Sequence, residues 1–175
     1  YGISVDATSA ATPLMQVKQG ETPKLLKMFL GTTTGSIGET SVAALLLGAI
    51  YLLIRRVIDW KIPVIYIASF AVFDILFMII TREPSYPLLY ELCGGGLILG
   101  AFFMATDYVT SPITSKGKII YAVLLGLLTG LFRFFGEAAE GVSFAIIIGN
   151  LFVPLIERYT VPKAFGKEGR HHEEE

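Results

Sequence analysis

Five apolar runs of near-bilayer length limit what this chain can fold into more than any other feature: Ile37 to Ile54, Ile62 to Ile80, Leu88 to Ala105, Lys118 to Phe135 and Val142 to Ile156. Each approaches the ~20 residues that a membrane-crossing helix needs. Inside a bilayer no water is present to satisfy backbone N–H and C=O groups, so apolar runs of this length must close their own hydrogen bonds as helices. Composition agrees, with 53% hydrophobic residues and a mean hydropathy of +0.63, where a soluble domain would interleave polar and apolar faces. The expected fold is an all-α integral membrane protein of about five transmembrane helices, two of them short. No simple repeat is visible, and the expected architecture is one half of an inverted-repeat bundle whose first half lies outside this sequence.

The lysines and arginines set an expected orientation. Arg55, Arg56 and Lys61 fall between the first two runs, Lys116 and Lys118 between the third and fourth, and Arg158, Lys163, Lys167 and Arg170 after the fifth. The other side carries fewer, with Arg82 after the second run and Arg133 near the end of the fourth. Positive residues favour the cytoplasmic side, which places the carboxyl tail in the cytoplasm and the amino-terminal segment outside, although Lys18, Lys24 and Lys27 reduce the contrast. Residues 1–35 are thus expected to be extracytoplasmic, 36–160 a helical membrane domain and 161–175 a charged cytoplasmic tail, in a prokaryotic cell membrane. The chain starts at Tyr1 with neither methionine nor a cleavable signal pattern, so it is expected to be part of a longer polypeptide.

Several function classes find no support. The net charge of -1 points to no particular partner, and no basic nucleic-acid patch, nucleotide-binding glycine fingerprint or hydrolytic triad is present. The single cysteine, Cys93, excludes an intrachain disulfide and any multi-cysteine metal or iron–sulfur motif within this chain. His171 and His172 belong to the charged tail, so no metal site is expected. No side chain is expected to be catalytic as an acid, base or nucleophile.

Chemistry is suggested instead by Asp6-Ala7-Thr8-Ser9-Ala10-Ala11-Thr12-Pro13-Leu14. The pattern Asp-x-x-Ser/Thr-Gly/Ala-Ala-Thr resembles the sequence read by ApbE-type flavin transferases, which join FMN to the last threonine through a phosphoester. That threonine is Thr12, with Asp6 and Ser9 as companion positions. Ala10 and Ala11 leave room for a transferase to close on the chain, and Pro13 disfavours helix at Thr12, keeping its hydroxyl extended. An ordinary Ser/Thr/Ala loop is the other reading of this segment taken alone. Downstream, Gly35-Ser-Ile-Gly38-Glu39-Thr40-Ser41 precedes the first run. Gly35 and Gly38 would let an anionic FMN group approach a helix amino terminus closely, or the segment is a cap with Ser36 or Thr34 capping and Glu39 in the first turn.

Ionisable groups in apolar runs mark an ion path, a partner or a polar cavity. Asp74 lies near the middle of the second run, as an ion-path residue or as an aspartate bonded to a neighbouring helix. Asp107 ends the third run beside Thr106, Thr110 and Ser111, as a hard ligand for a desolvating cation or as a solvated interfacial residue. Glu39 and Glu137 near the outer face are further candidates, and Glu140 is placed in an exposed turn. Cys93-Gly94-Gly95-Gly96 is read first as a site of tight helix packing, with a helix break or a flat cofactor as alternatives. Tyr51, Tyr66, Tyr90 and Trp60 are assigned to the interfacial aromatic belts.

Four ordered stretches, the Thr12 segment, the Gly35–Ser41 turn, Phe103 to Pro112 and Glu140 to Tyr159, together resemble the carboxyl-terminal half of the Rnf-type members of the NqrB/RnfD family. Ala10 stands where that family more often has glycine. The resemblance implies a membrane component of a redox-driven pump that passes electrons between reduced ferredoxin and NAD and moves sodium ions or protons. It implies covalent FMN on Thr12, riboflavin bound by this type of chain at an unassigned pocket, the A, B, C, E and G subunits of the Rnf complex as partners, the flavin transferase, and a lipid bilayer. The protein's part is to hold and tune the cofactor, so Thr12 is an anchor. An Nqr-type chain serving a quinone reductase, a transporter or channel half that is never flavinylated, and a pure scaffold are the competing readings.

Overall fold

The computed structural model describes residues 24–32, 41–81, 88–135 and 141–162, and all of the secondary structure among them is helical. In chain order the helices are α1 (Leu25–Leu30), α2 (Val42–Ile54), α3 (Lys61–Thr81), α4 (Leu88–Cys93), α5 (Leu97–Leu99), α6 (Ser115–Phe135) and α7 (Gly141–Thr160), with a π-helical stretch, Gly100–Met104, continuing α5. Three of them, α3, α6 and α7, are long and apolar enough to cross a membrane, and α2 is a shorter apolar helix.

Local sequence explains the boundaries. Ser41 caps α2 by accepting a hydrogen bond from the Ala44 N–H at 3.3 Å, which satisfies one of the amides a helix start leaves unpaired. Pro63 lies in the first turn of α3, where its missing N–H costs little. Asp59 accepts from the Lys61 N–H at 3.2 Å just before that turn. The fourth and fifth runs extend a little past the lengths expected from hydropathy, to Ser115–Phe135 and Gly141–Thr160.

The third run departs from expectation. Instead of one helix from Leu88 to Ala105 it stops at Cys93, turns through Gly94–Gly96 and restarts at Leu97. Gly95 and Gly96 take φ values of 62° and 68°, a left-handed backbone that only glycine enters at little cost. The glycines therefore break the helix, and the packing reading is corrected: three adjacent residues without a β-carbon made the break cheaper than a continuous helix.

Helices α3 and α6 run side by side in the same direction. Ser69 donates to the Ala122 carbonyl at 3.2 Å, and a β-carbon at Gly126 would lie 2.1 Å from Ser69 Oγ and 2.7 Å from the Phe70 amide nitrogen. Helices α6 and α7 are antiparallel, with Gly149 against Leu125 and Gly141 against Phe132. Gly100 in the π stretch meets Val142 of α7 just as closely. In lipid there is no hydrophobic drive between helices, so close approach at small residues supplies the contact. Tyr66, Phe70, Leu97, Ala101, Tyr121 and Leu125 form the centre of the core, while Leu47, Ile79, Ile147 and Leu151 face outward, the apolar exterior suited to hydrocarbon.

Candidate functional site

Helix α6 presents a stripe at helical spacing, Tyr121, Leu125, Thr129 and Arg133, and every member is buried. Its polar members all find partners. Tyr121 donates to the Asn150 side chain on α7 at 2.5 Å, and the hydroxyls of Thr129 and Tyr66 on α3 lie 2.6 Å apart. Tyr66 is fully buried, which corrects its assignment to an aromatic belt: the inward face of α3 carries it to the Thr129 hydroxyl instead of to the interface.

Arg133, two residues before the end of α6 where the orientation count placed it, is 4% exposed. Its guanidinium donates to Glu91 Oε2 at 3.0 Å, to the Gly94 carbonyl at 2.9 Å and to the Gly95 carbonyl at 3.2 Å, as well as to the Glu91 carbonyl. Its carbon centre lies 4.9 Å from the centroid of the Phe70 ring, within cation–π range. Glu91 is itself 7% exposed. When α4 stops at Cys93, carbonyls that a continuous helix would pair lose their amides, and the planar fork of five donors replaces them. Arg133 thus seals the break and neutralises the one acid of α4.

Asp74 on α3 stands at the same level. Phe73 lies against Gly130, and Phe77 packs on Phe134 with ring centroids 5.8 Å apart, so the intervening turn of α3 meets the turn of α6 that carries Arg133. Asp74 is half-buried and within electrostatic reach of Glu91 and Arg133. Its Oδ2 is shielded from solvent and accepts no hydrogen bond among the described residues. The expectation that Asp74 bonds to a neighbouring helix is thereby unmet for this oxygen.

Asp107 is different. It is exposed at the end of the π stretch, its Oδ2 accepting from Thr110 Oγ1 at 3.1 Å, while Thr106 turns away to its own helix carbonyl, Phe102 O, at 2.8 Å. Of the hydroxyls singled out beside Asp107, that of Thr110 reaches its carboxylate and that of Thr106 does not. Around this end of the bundle lie Lys118, paired with Asp59 at 2.9 Å, Lys61, donating to Ser115 at 3.1 Å, and Glu157, which accepts from the Ile113 N–H at 3.1 Å. The Lys118 ammonium holds the Asp59 carboxyl below the ordinary carboxylate range.

Asp6, Ser9, Thr12, Gly35, Gly38, Glu39 and Glu137 lie outside the described residues. Glu91 and Arg133 were not singled out by sequence. The available signal was an arginine four residues after Thr129 in an apolar helix, opposite a glutamate directly before three glycines.

Comparison with known proteins follows the same outline. The model of the family described as NQR2, RnfD, RnfE matches residues 1–166. The D subunit of the Na(+)-translocating ferredoxin:NAD(+) oxidoreductase complex of Acetobacterium woodii is 43% identical over 92% of this chain and 50% of its own length. The D subunit of the proton-translocating ferredoxin:NAD(+) oxidoreductase complex of Clostridium ljungdahlii is also 43% identical, over 93% of this chain and 52% of its own. The D subunit of the ion-translocating oxidoreductase complex of Erwinia tasmaniensis is 39% identical over 94% of this chain and 48% of its own. The chain spans about half the length of the curated relatives it matches.

Proposed function

Because the chain belongs to the NQR2, RnfD, RnfE family, we propose that it is the carboxyl-terminal half of the D subunit of a ferredoxin:NAD oxidoreductase complex that moves ions across a prokaryotic cell membrane. The observation that carries this reading is the 39–43% identity to three proteins named as the D subunit of such complexes, across more than nine-tenths of this chain. The protein is part of a redox-driven translocase and works with the A, B, C, E and G subunits of the Rnf complex.

Within that reading FMN is attached through its phosphate to Thr12 by an ApbE-type transferase, with Asp6 and Ser9 completing the recognised sequence and Gly35 and Gly38 giving the flavin close access to the chain. The attachment sequence supports this, and so does the charge-derived orientation, which puts Thr12 on the side a secreted transferase reaches. Covalent FMN supplies an electron carrier at the outer surface, and riboflavin is a further cofactor of this type of chain. The protein anchors the flavin at Thr12 and holds it near the bundle. Asp74, Asp107, Glu39 and Glu137 are the acids assigned to ion movement. The coupling ion stays unassigned between Na+ and H+, because two relatives at equal identity carry different ions in their names.

The test is peptide mass spectrometry on protein co-expressed with the transferase, with Thr12→Ala as control. An increment of FMN minus water on the Thr12 peptide, absent from the variant, is expected. An unmodified peptide beside an active transferase would favour the non-flavinylated transporter.

A further inference from the structure

Among the described residues, the charges around the helix break do not cancel. Arg133 contributes one positive charge, and Glu91 and Asp74 contribute two negative ones. The guanidinium donates to Glu91 Oε2 and to the carbonyls of Glu91, Gly94 and Gly95 and lies over the Phe70 ring. Asp74 lies within the field of both partners, yet its Oδ2 is out of solvent and takes no hydrogen bond among the described residues. The other polar group of α3 near this face, the Tyr66 hydroxyl, is already joined to Thr129. Among the described residues, the contacts on this stretch of α3 are aromatic side-chain contacts, Phe73 and Phe77 against Gly130 and Phe77 against Phe134. A carboxylate at membrane depth with its countercharge committed elsewhere has to be neutralised from outside the pair.

We propose that Asp74 binds one exchangeable monovalent cation, a proton or a sodium ion, and that the Arg133–Glu91 pair creates this site by leaving the cluster one negative charge in excess. The proposal rests on the ion-translocation reading above and gives it a holding point. A single excess charge matches a monovalent ion and leaves a divalent one uncompensated. Because Asp74 is only half-buried, the site opens at the surface of this chain and its occupant can exchange, whereas the nearly enclosed Glu91 is fixed. Arg133 is a positioning residue here, setting the balance without carrying the ion.

The experiment treats the purified, intact complex with dicyclohexylcarbodiimide, which reacts with protonated carboxyls in apolar surroundings, and maps adducts by peptide mass spectrometry. An adduct on Asp74 with none on Glu91 is expected. Protection by Na+ identifies sodium as the occupant; labelling that declines only with rising pH identifies the proton. In parallel, Asp74→Asn is expected to lose ferredoxin-driven ion uptake into vesicles while NAD reduction continues, with Asp74→Glu restoring uptake. Absence of an Asp74 adduct, an adduct on Glu91, or unimpaired uptake in Asp74→Asn overturns the proposal. If Asp74→Asn does not assemble, labelling of the unaltered complex decides alone. The flavin increment on the Thr12 peptide is read from the same digest, so its absence fails the flavin reading without touching the adduct result.

Discussion

The guanidinium of Arg133 joins four acceptors that lie within five residues of one another, from Glu91 to Gly95. Removing one partner of a buried ion pair strands the other charge, at a cost of about 3–5 kcal/mol. Arg133→Met is accordingly expected to destabilise the helix bundle by that amount in detergent denaturation. Adding Glu91→Met should recover only part, because the Gly94 and Gly95 carbonyls still lack donors, and full recovery would contradict the capping role. Asp59 and Lys118, with side chains 30% and 22% exposed, form a weaker pair worth up to about 1 kcal/mol. The folded-state pKa of Asp59 is lowered by Lys118, so its contribution is present above the ordinary carboxylate pKa of about 4 and is lost as pH falls through the depressed value. Asp59→Asn should therefore lower Tm slightly at neutral pH, and the difference should vanish in strong acid.

Helix α6 owes its position to places where side chains are missing. At Gly126 an added β-carbon would meet the backbone nitrogen of Phe70 at 2.7 Å as well as Ser69, and backbone cannot step aside. At Gly149 the nearest atom, 2.4 Å away, is the end of the Leu125 side chain, which can rotate. Gly126→Ala is expected to cost about 1–3 kcal/mol by overpacking, and Gly149→Ala distinctly less, as measured by detergent-unfolding midpoints. Equal effects would argue against α3 and α6 touching at this point. The same comparison shows what hydropathy could and could not reveal. The extents of α3, α6 and α7 follow from runs of apolar residues, which fix length. Whether Gly94–Gly96 packs or breaks depended on an arginine some forty positions away, a partner that no local pattern names. Asp74 stood out as a charge in an apolar run, but that its Oδ2 accepts no hydrogen bond among the described residues is a matter of packing in space.

Among the described residues of the bundle, the two ion pairs lie toward opposite ends. Parallel α3 and α6 and antiparallel α7 bring Asp59, Lys61, Ser115, Lys118 and Glu157 to one end, with Lys116 exposed beside them. Glu91 and Arg133 lie toward the other. With the basic end cytoplasmic, Lys116→Cys in a Cys93→Ser background should resist a membrane-impermeant maleimide in intact cells and react in inverted vesicles. The opposite pattern would invert the orientation and remove Thr12 from the reach of a secreted transferase.

The two pieces of the third run are fastened to different neighbours. The amino-terminal piece, α4, is tied through Glu91 to α6, while the carboxyl-terminal piece is wedged at Gly100 against Val142 of α7. Any sliding of α6 against α7 would pull those anchorages in different directions, and the three glycines between them are the softest place for the strain to collect. The break is thus a joint in the mechanical sense, with Arg133 as its pin.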